Sequence, residues 1–230
     1  MRRRVTASNV LESIARSRFL ILLLCLLGIF MVQPMLPQGH HGLSVLDLDV
    51  GLAAVLIASI WSLSHSRALA AIGLAFVVPA LIATFFGRVG ASGTLALVGL
   101  GCALAFIAFT AASVLWLVVR RRDVDADTIL GGICVYLLVA ALWAGIYSML
   151  VRVDPGAFSV SARPAASDSL LAPEALYYSV LIITTMGPED VQPLSRQARA
   201  WTGLEAIVGQ LYLAVFIARL VGMSASGSGK

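Results

Sequence analysis

Apolar residues in this chain fall in long, nearly unbroken runs, and polar residues gather between them. The runs cover residues 18–36, 46–63, 68–86, 93–119, 128–151 and 201–223. A helix needs roughly 20 mostly apolar residues to cross a hydrocarbon core of about 30 Å, and each run is near that length. A membrane β-barrel would need apolar and polar residues to alternate along every strand, and these runs do not alternate. The pattern predicts an all-α integral membrane protein with six transmembrane helices. Residues 152–200 break it. A polar stretch there leads into the short apolar segment PEALYYSVLIITT and then the polar return TTMGPEDVQP. The apolar segment is too short to span, so a re-entrant helix between the fifth and sixth spans is expected. Such backbone is tolerated at membrane depth only when it lines a watery path or is buried in protein.

Composition excludes a soluble globule: the chain is 60% hydrophobic and 12% charged, with mean hydropathy +0.95. The formal charge of +4 comes almost wholly from arginine. These arginines cluster at the ends of apolar runs and form no stripe suited to nucleic acid. Arg2, Arg3, Arg4, Arg16 and Arg18 precede the first span, Arg67 lies between the second and third, and Arg120, Arg121 and Arg122 follow the fourth. Positively charged loops favour the cytoplasm, which places both termini there, while Arg88, Arg152, Arg163, Arg196 and Arg199 fall on the opposite side. The arginine-led start lacks a small-residue cleavage site and reads as a retained first helix. Cys25, Cys102 and Cys134 sit singly inside apolar runs, as small packing residues do.

Within the re-entrant segment, Pro173 and Glu174 suit the first turn of a helix. Proline lacks only an N–H that would be unpaired there, and a carboxylate favours the positive end of the helix dipole. The stretch YYSVLIITTMGPEDVQP, from Tyr177 to Pro193 without a gap, resembles the pore helix and selectivity filter of the potassium channel superfamily, whose core reads T-x-G-Y-G-D and then a proline. GGICVYLLVAALWAGIYSML and GLEAIVGQLYLAVFIARLVG are similar to the outer and inner helices of bacterial members with ion-channel or two-pore-domain-like pores. Arg199 and Gly209 fall where that family often has an outer arginine and a hinge glycine. The resemblance covers roughly residues 128–222. It implies that four copies of the loop surround one axis, where backbone carbonyls replace the water shell of a cation. Thr184, Thr185, Met186 and Gly187 would supply the inner carbonyls, with the Thr185 hydroxyl on the cavity side. Tyr177 and Tyr178, which open the matched stretch, are expected to support the pore.

The outer half of the filter departs from the family. Pro188 and Glu189 stand where tyrosine and glycine are expected, and Asp190 follows as it should. The missing glycine usually takes a backbone conformation that costs other residues about 1 kcal/mol or more. Pro188 fixes its own φ, lacks a donor and restricts Gly187. Two readings stay open. Either the inner ion sites survive beneath an anionic vestibule of Glu189 and Asp190 rings, giving a weakly selective cation pore, or the pore is shut at Pro188. Glu189 and Asp190 also read as a solvated loop tip.

Four further features complete the expectation. Glu205 lies inside the last span, either bracing the pore helix or hydrated near the interface. Gln210, Leu213, Ile217 and Val221 follow Gly209 at helical spacing, facing the axis as a gate or packing as ordinary helix residues. The fourth span carries no internal arginine, so the voltage-sensor-like position of residues 1–122 lacks gating charges. His40, His41 and His65 lie in loops and read as solvated.

The chain therefore divides into a four-helix membrane domain (residues 1–122), a pore domain (residues 123–223) and a disordered Gly/Ser-rich tail (residues 224–230). One pore loop supplies a quarter of a ring, so the resemblance implies a homotetramer in the cell (inner) membrane. Its partners are lipid and its own copies, with no nucleic acid, no metal and no cofactor beyond permeant monovalent cations, K+ first. A secondary transporter would show broken helices in two matching halves, and only one broken element is visible. An intramembrane hydrolase would need a base at depth, and no histidine lies in a span, so no enzyme is expected. A non-conducting sensor or assembly subunit is the alternative to a channel.

Overall fold

The computed structural model describes residues 18–32, 93–121, 125–161 and 172–227. Five helices and two short strands occupy them: α1 (Arg18–Val32), α2 (Gly93–Arg120), α3 (Ala126–Val153), β1 (Phe158–Val160), α4 (Ala172–Ile183), β2 (Val191–Pro193) and α5 (Arg196–Gly227). The expected spans at 46–63 and 68–86 lie outside the described residues. Among those described, three helical stretches are long and apolar enough to cross a membrane: Leu97–Arg120, Ala126–Val153 and Arg196–Ala225.

Helix α3 is the hub. Asp125 caps its N-terminus, accepting from the Thr128 N–H at 2.7 Å and from the Thr128 hydroxyl at 2.5 Å. Its N-terminal half packs Cys134, Val135 and Leu138 against Phe19, Leu22 and Leu26 of α1 and Val114 and Val118 of α2. Cys134 behaves as the small packing residue expected of it: it is buried, and its thiol donates to the Phe19 carbonyl at 3.5 Å. The C-terminal half of α3 packs Trp143, Tyr147 and Val151 against β1, α4 and Val191 of β2. There Tyr147, Phe158 and Tyr178 meet edge to face, with ring centroids 5.2 to 5.4 Å apart.

Two features differ from expectation. Residues flanking α4 form an antiparallel pair, with Phe158 opposite Pro193 and Val160 opposite Val191. The chain leaving α4 thus returns beside the chain that preceded it. Helix α5 is also longer than residues 201–223. It begins at Arg196, because the Ser195 hydroxyl accepts from the Ala198 N–H at 3.1 Å, and it runs through Gly227. Residues 224–227 of the tail expected to be disordered are therefore helical, since extending a formed helix costs far less than starting one.

Candidate functional site

Helix α4 is held from three sides. Glu174 lies in its first turn, as expected. Tyr178 is buried and shares a 3.0 Å hydrogen bond with the Thr202 hydroxyl of α5. Tyr177 is 44% exposed and directs its hydroxyl toward Asp190 Oδ1 at 3.5 Å. At the far end, the Tyr136 hydroxyl of α3 donates to the Ile183 carbonyl at 2.8 Å.

Glu205 of α5 is fully buried, with no hydrated surface. The Tyr147 hydroxyl of α3 donates to its Oε2. The Ser179 Oγ of α4 lies 2.5 Å from its Oε1 and 2.7 Å from the Ala140 carbonyl of α3. One carboxyl group therefore joins three helices behind the end of α4. Sequence reasoning named Glu205 and missed Tyr147, Ser179 and Tyr136. Their signal was available: a buried carboxyl needs polar partners, and few polar side chains interrupt the apolar runs of residues 128–151 and 173–183.

The turn after α4 closes on the helix end. Thr185 takes a left-handed conformation at φ 61°. Its N–H donates to Ile182 O at 2.9 Å, and the Met186 N–H donates to Leu181 O at 2.8 Å. This is the paired bonding of a Schellman C-cap, with threonine where glycine is usual. The cost of placing a side chain there is about 1–2 kcal/mol. Gly187 follows, also at positive φ, 65°. The Thr184 hydroxyl donates to Val180 O and the Thr185 hydroxyl to Thr184 O, each at 2.7 Å. Thr184, Thr185, Gly187 and Glu189 are exposed within the single chain, as is Met186 at 74%, while Pro188 and Asp190 are half-buried. The Asp190 carbonyl accepts from the Ser161 N–H at 2.8 Å, fixing the exit of the turn to the segment after β1. Arg199 sits at the head of α5, where its Nε donates to the Pro193 carbonyl at 3.1 Å.

The inner-helix candidates lie along α5. Gly209 is buried against the end of α4, and α5 passes through it without a break. Gln210, Ile217 and Val221 are exposed and Leu213 is half-buried. Between Ile217 and Val221, Arg219 donates to the carbonyls of Val119 and Arg121 at the end of α2, the latter at 2.9 Å. This residue also escaped sequence reasoning.

Residues 134–224 match a family model described as an ion channel, a stretch that runs from α3 through α4 and its turn into α5. No curated protein and no solved structure matches the chain. The match and the three helices of spanning length together support an ion channel in a membrane.

Proposed function

We propose that this chain is one subunit of a homotetrameric cation channel of the potassium-channel superfamily, conducting K+ and other monovalent cations passively across the cell (inner) membrane. In this reading six helices span the bilayer with both termini cytoplasmic, and α4 is a re-entrant pore helix. Thr184 to Gly187 line the inner ion sites, and Glu189 and Asp190 ring a wider outer mouth. The observation that carries the reading is the placement of α4: a 12-residue helix wedged between α3 and α5, ending in the Thr-Thr-Met-Gly turn. Its C-terminal carbonyls carry partial negative charge, which favours a cation at that end. The apolar residues that α5 exposes, among them Leu204, Ile207, Leu211 and Val215, need lipid or further copies of the chain to cover them. The reading requires no cofactor and no catalysis.

A second reading, a channel-like subunit that does not conduct, draws support from the same turn. Met186 and Gly187 both direct their N–H groups to Leu181 O, and Pro188 has no N–H to offer a standard outer filter. Flux in liposomes separates the two, comparing K+ and Na+ gradients for wild type and for the Pro188→Tyr, Glu189→Gly double variant. A wild type that passes both ions, with a variant shifted toward K+, supports the channel. A wild type that passes neither, with a conducting variant, places the protein in the second class.

A further inference from the structure

We propose that Glu205 is a positioning residue for the α4 turn and that it acts as the uncharged acid, its proton completing a hydrogen-bond chain through α3, α5 and α4. This deepens the channel reading by naming what regulates the filter. It relies on that reading only for the effect on flux.

Counting protons leads to this assignment. Three contacts must be served: Tyr147 Oη to Glu205 Oε2, Glu205 Oε1 to Ser179 Oγ at 2.5 Å, and Ser179 Oγ to Ala140 O at 2.7 Å. The carbonyl of Ala140 can only accept. Tyr147 supplies one proton and Ser179 one. With a carboxylate at Glu205, the single Ser179 proton must choose between Oε1 and Ala140 O, and the neglected contact sets two lone pairs against each other. With the acid, Oε1–H donates to Ser179, Ser179 donates to Ala140, and Tyr147 donates to Oε2, so every contact holds one proton. Glu205, Tyr147 and Ser179 are all completely buried, which leaves no surface for solvent to relieve a mismatch.

Among the described residues, no charged group pairs with Glu205 to stabilise a carboxylate. The titratable groups facing Glu205 are the phenols of Tyr147 and Tyr136 on α3 and Tyr178 on α4, and its own helix adds the Thr202 hydroxyl beside Tyr178. Among the described residues the ion pairs belong to Arg121, and none reaches Glu205. Loss of the proton would place a negative charge against the Ser179 oxygen. The force falls on α4 one turn before Ile183, where the helix leads into Thr184. Alkaline conditions should then loosen the turn and change flux.

The test uses the full chain in liposomes as wild type, Glu205→Gln and Glu205→Ala. Glutamine keeps both functions of the acid, an oxygen to accept from Tyr147 and an N–H to donate to Ser179. Three readouts are taken: the infrared carbonyl band of a protonated carboxyl, ion flux against pH, and thermal unfolding. We expect the band in wild type at neutral pH and its absence in both variants. Wild-type flux should change as the band disappears on alkalinisation. Glu205→Gln should match wild type at neutral pH with a flat pH profile, and Glu205→Ala should lose flux and unfold at lower temperature. Absence of the band in wild type at neutral pH, or a glutamine variant as damaged as the alanine one, overturns the proposal. If wild type carries no flux, the channel reading fails by itself. The band and the order of unfolding temperatures then still decide for or against the protonated brace.

Discussion

Gly209 on α5 and Ile183 at the end of α4 approach so closely that a β-carbon on Gly209 would lie 2.5 Å from Ile183 Cγ1 and 2.9 Å from the Ile183 carbonyl oxygen. The side chain of Ile183 can rotate away, but its carbonyl cannot leave without moving the residue that opens the turn. Space therefore accounts for a glycine at this position, and α5 runs through it without a break.

Gly209→Ala tests the point through the sign of its effect. Alanine in a helix is favoured over glycine by about 1 kcal/mol, so a glycine kept only for bending should yield a more stable variant. Overpacking against backbone costs typically 1–3 kcal/mol, about enough to reverse that gain. We expect a lower unfolding temperature in detergent together with altered flux. A higher unfolding temperature would return Gly209 to the role of a hinge.

The Ile183 carbonyl is also where Tyr136 donates, at 2.8 Å. Tyr136→Phe removes one hydrogen bond, at a cost of about 0.5–1.5 kcal/mol. The effect should appear as a changed ratio of K+ to Na+ flux with modest loss of stability. Tyr212→Phe is the matched control. Tyr212 stacks on Tyr136 with centroids 5.9 Å apart, but its hydroxyl donates to Gly132 O at 2.6 Å, away from the turn. Its loss should lower stability alike and leave the ratio unchanged.

Local pattern carried the helices of residues 126–227 and could not carry the contacts between them. The run at residues 128–151 became α3, which extends two residues further at each end, with Asp125 capping its start and the Asp154 N–H bonded to Leu150 O at its close. The start of α5 was misplaced because Arg196 and Arg199 look like loop residues, although Ser195 ahead of them is a good N-cap. The β1–β2 pair was illegible. Two three-residue strands separated by α4, one ending in Pro193, give no periodic signal, and their pairing is set by the fold around α4. Glu205 stood out as a lone carboxyl in an apolar run. Its partners did not, because Tyr147 lies 58 residues before it and Ser179 lies 26. The end of the short helix carried no glycine signal, because the left-handed C-cap falls on Thr185.

Arg219 ties α5 to the last carbonyls of α2, on the turn between Ile217 and Val221. A cation at a helix C-terminus contributes about 0.3–1 kcal/mol, so Arg219→Gln should barely change global stability. What it should change is local: faster amide exchange in the final turn of α2, with the amides of α4 unaffected. Arg219→Lys, which keeps the charge without the planar fork, should restore part of the protection. Equal exchange in wild type and Arg219→Gln would show that the tie holds nothing.

Asp125 makes a prediction about acid. Burial works against its charge, but the Thr128 hydroxyl and N–H, with the Arg121 guanidinium at 2.9 Å, outweigh it and hold the carboxyl below its ordinary range. The fold therefore favours the carboxylate. Its contribution is complete above the ordinary carboxylate range and disappears as pH falls through the lowered value. Asp125→Ala should cost about 1 kcal/mol at neutral pH, as loss of an N-cap does, and much less in strong acid, where wild type has lost the charge as well. Asp125→Asn keeps a capping oxygen and drops the attraction to Arg121, so it should fall between wild type and alanine at neutral pH. Unfolding midpoints at the two pH values decide the matter: an alanine penalty that stays constant would mean that the cap does not depend on the ionised group.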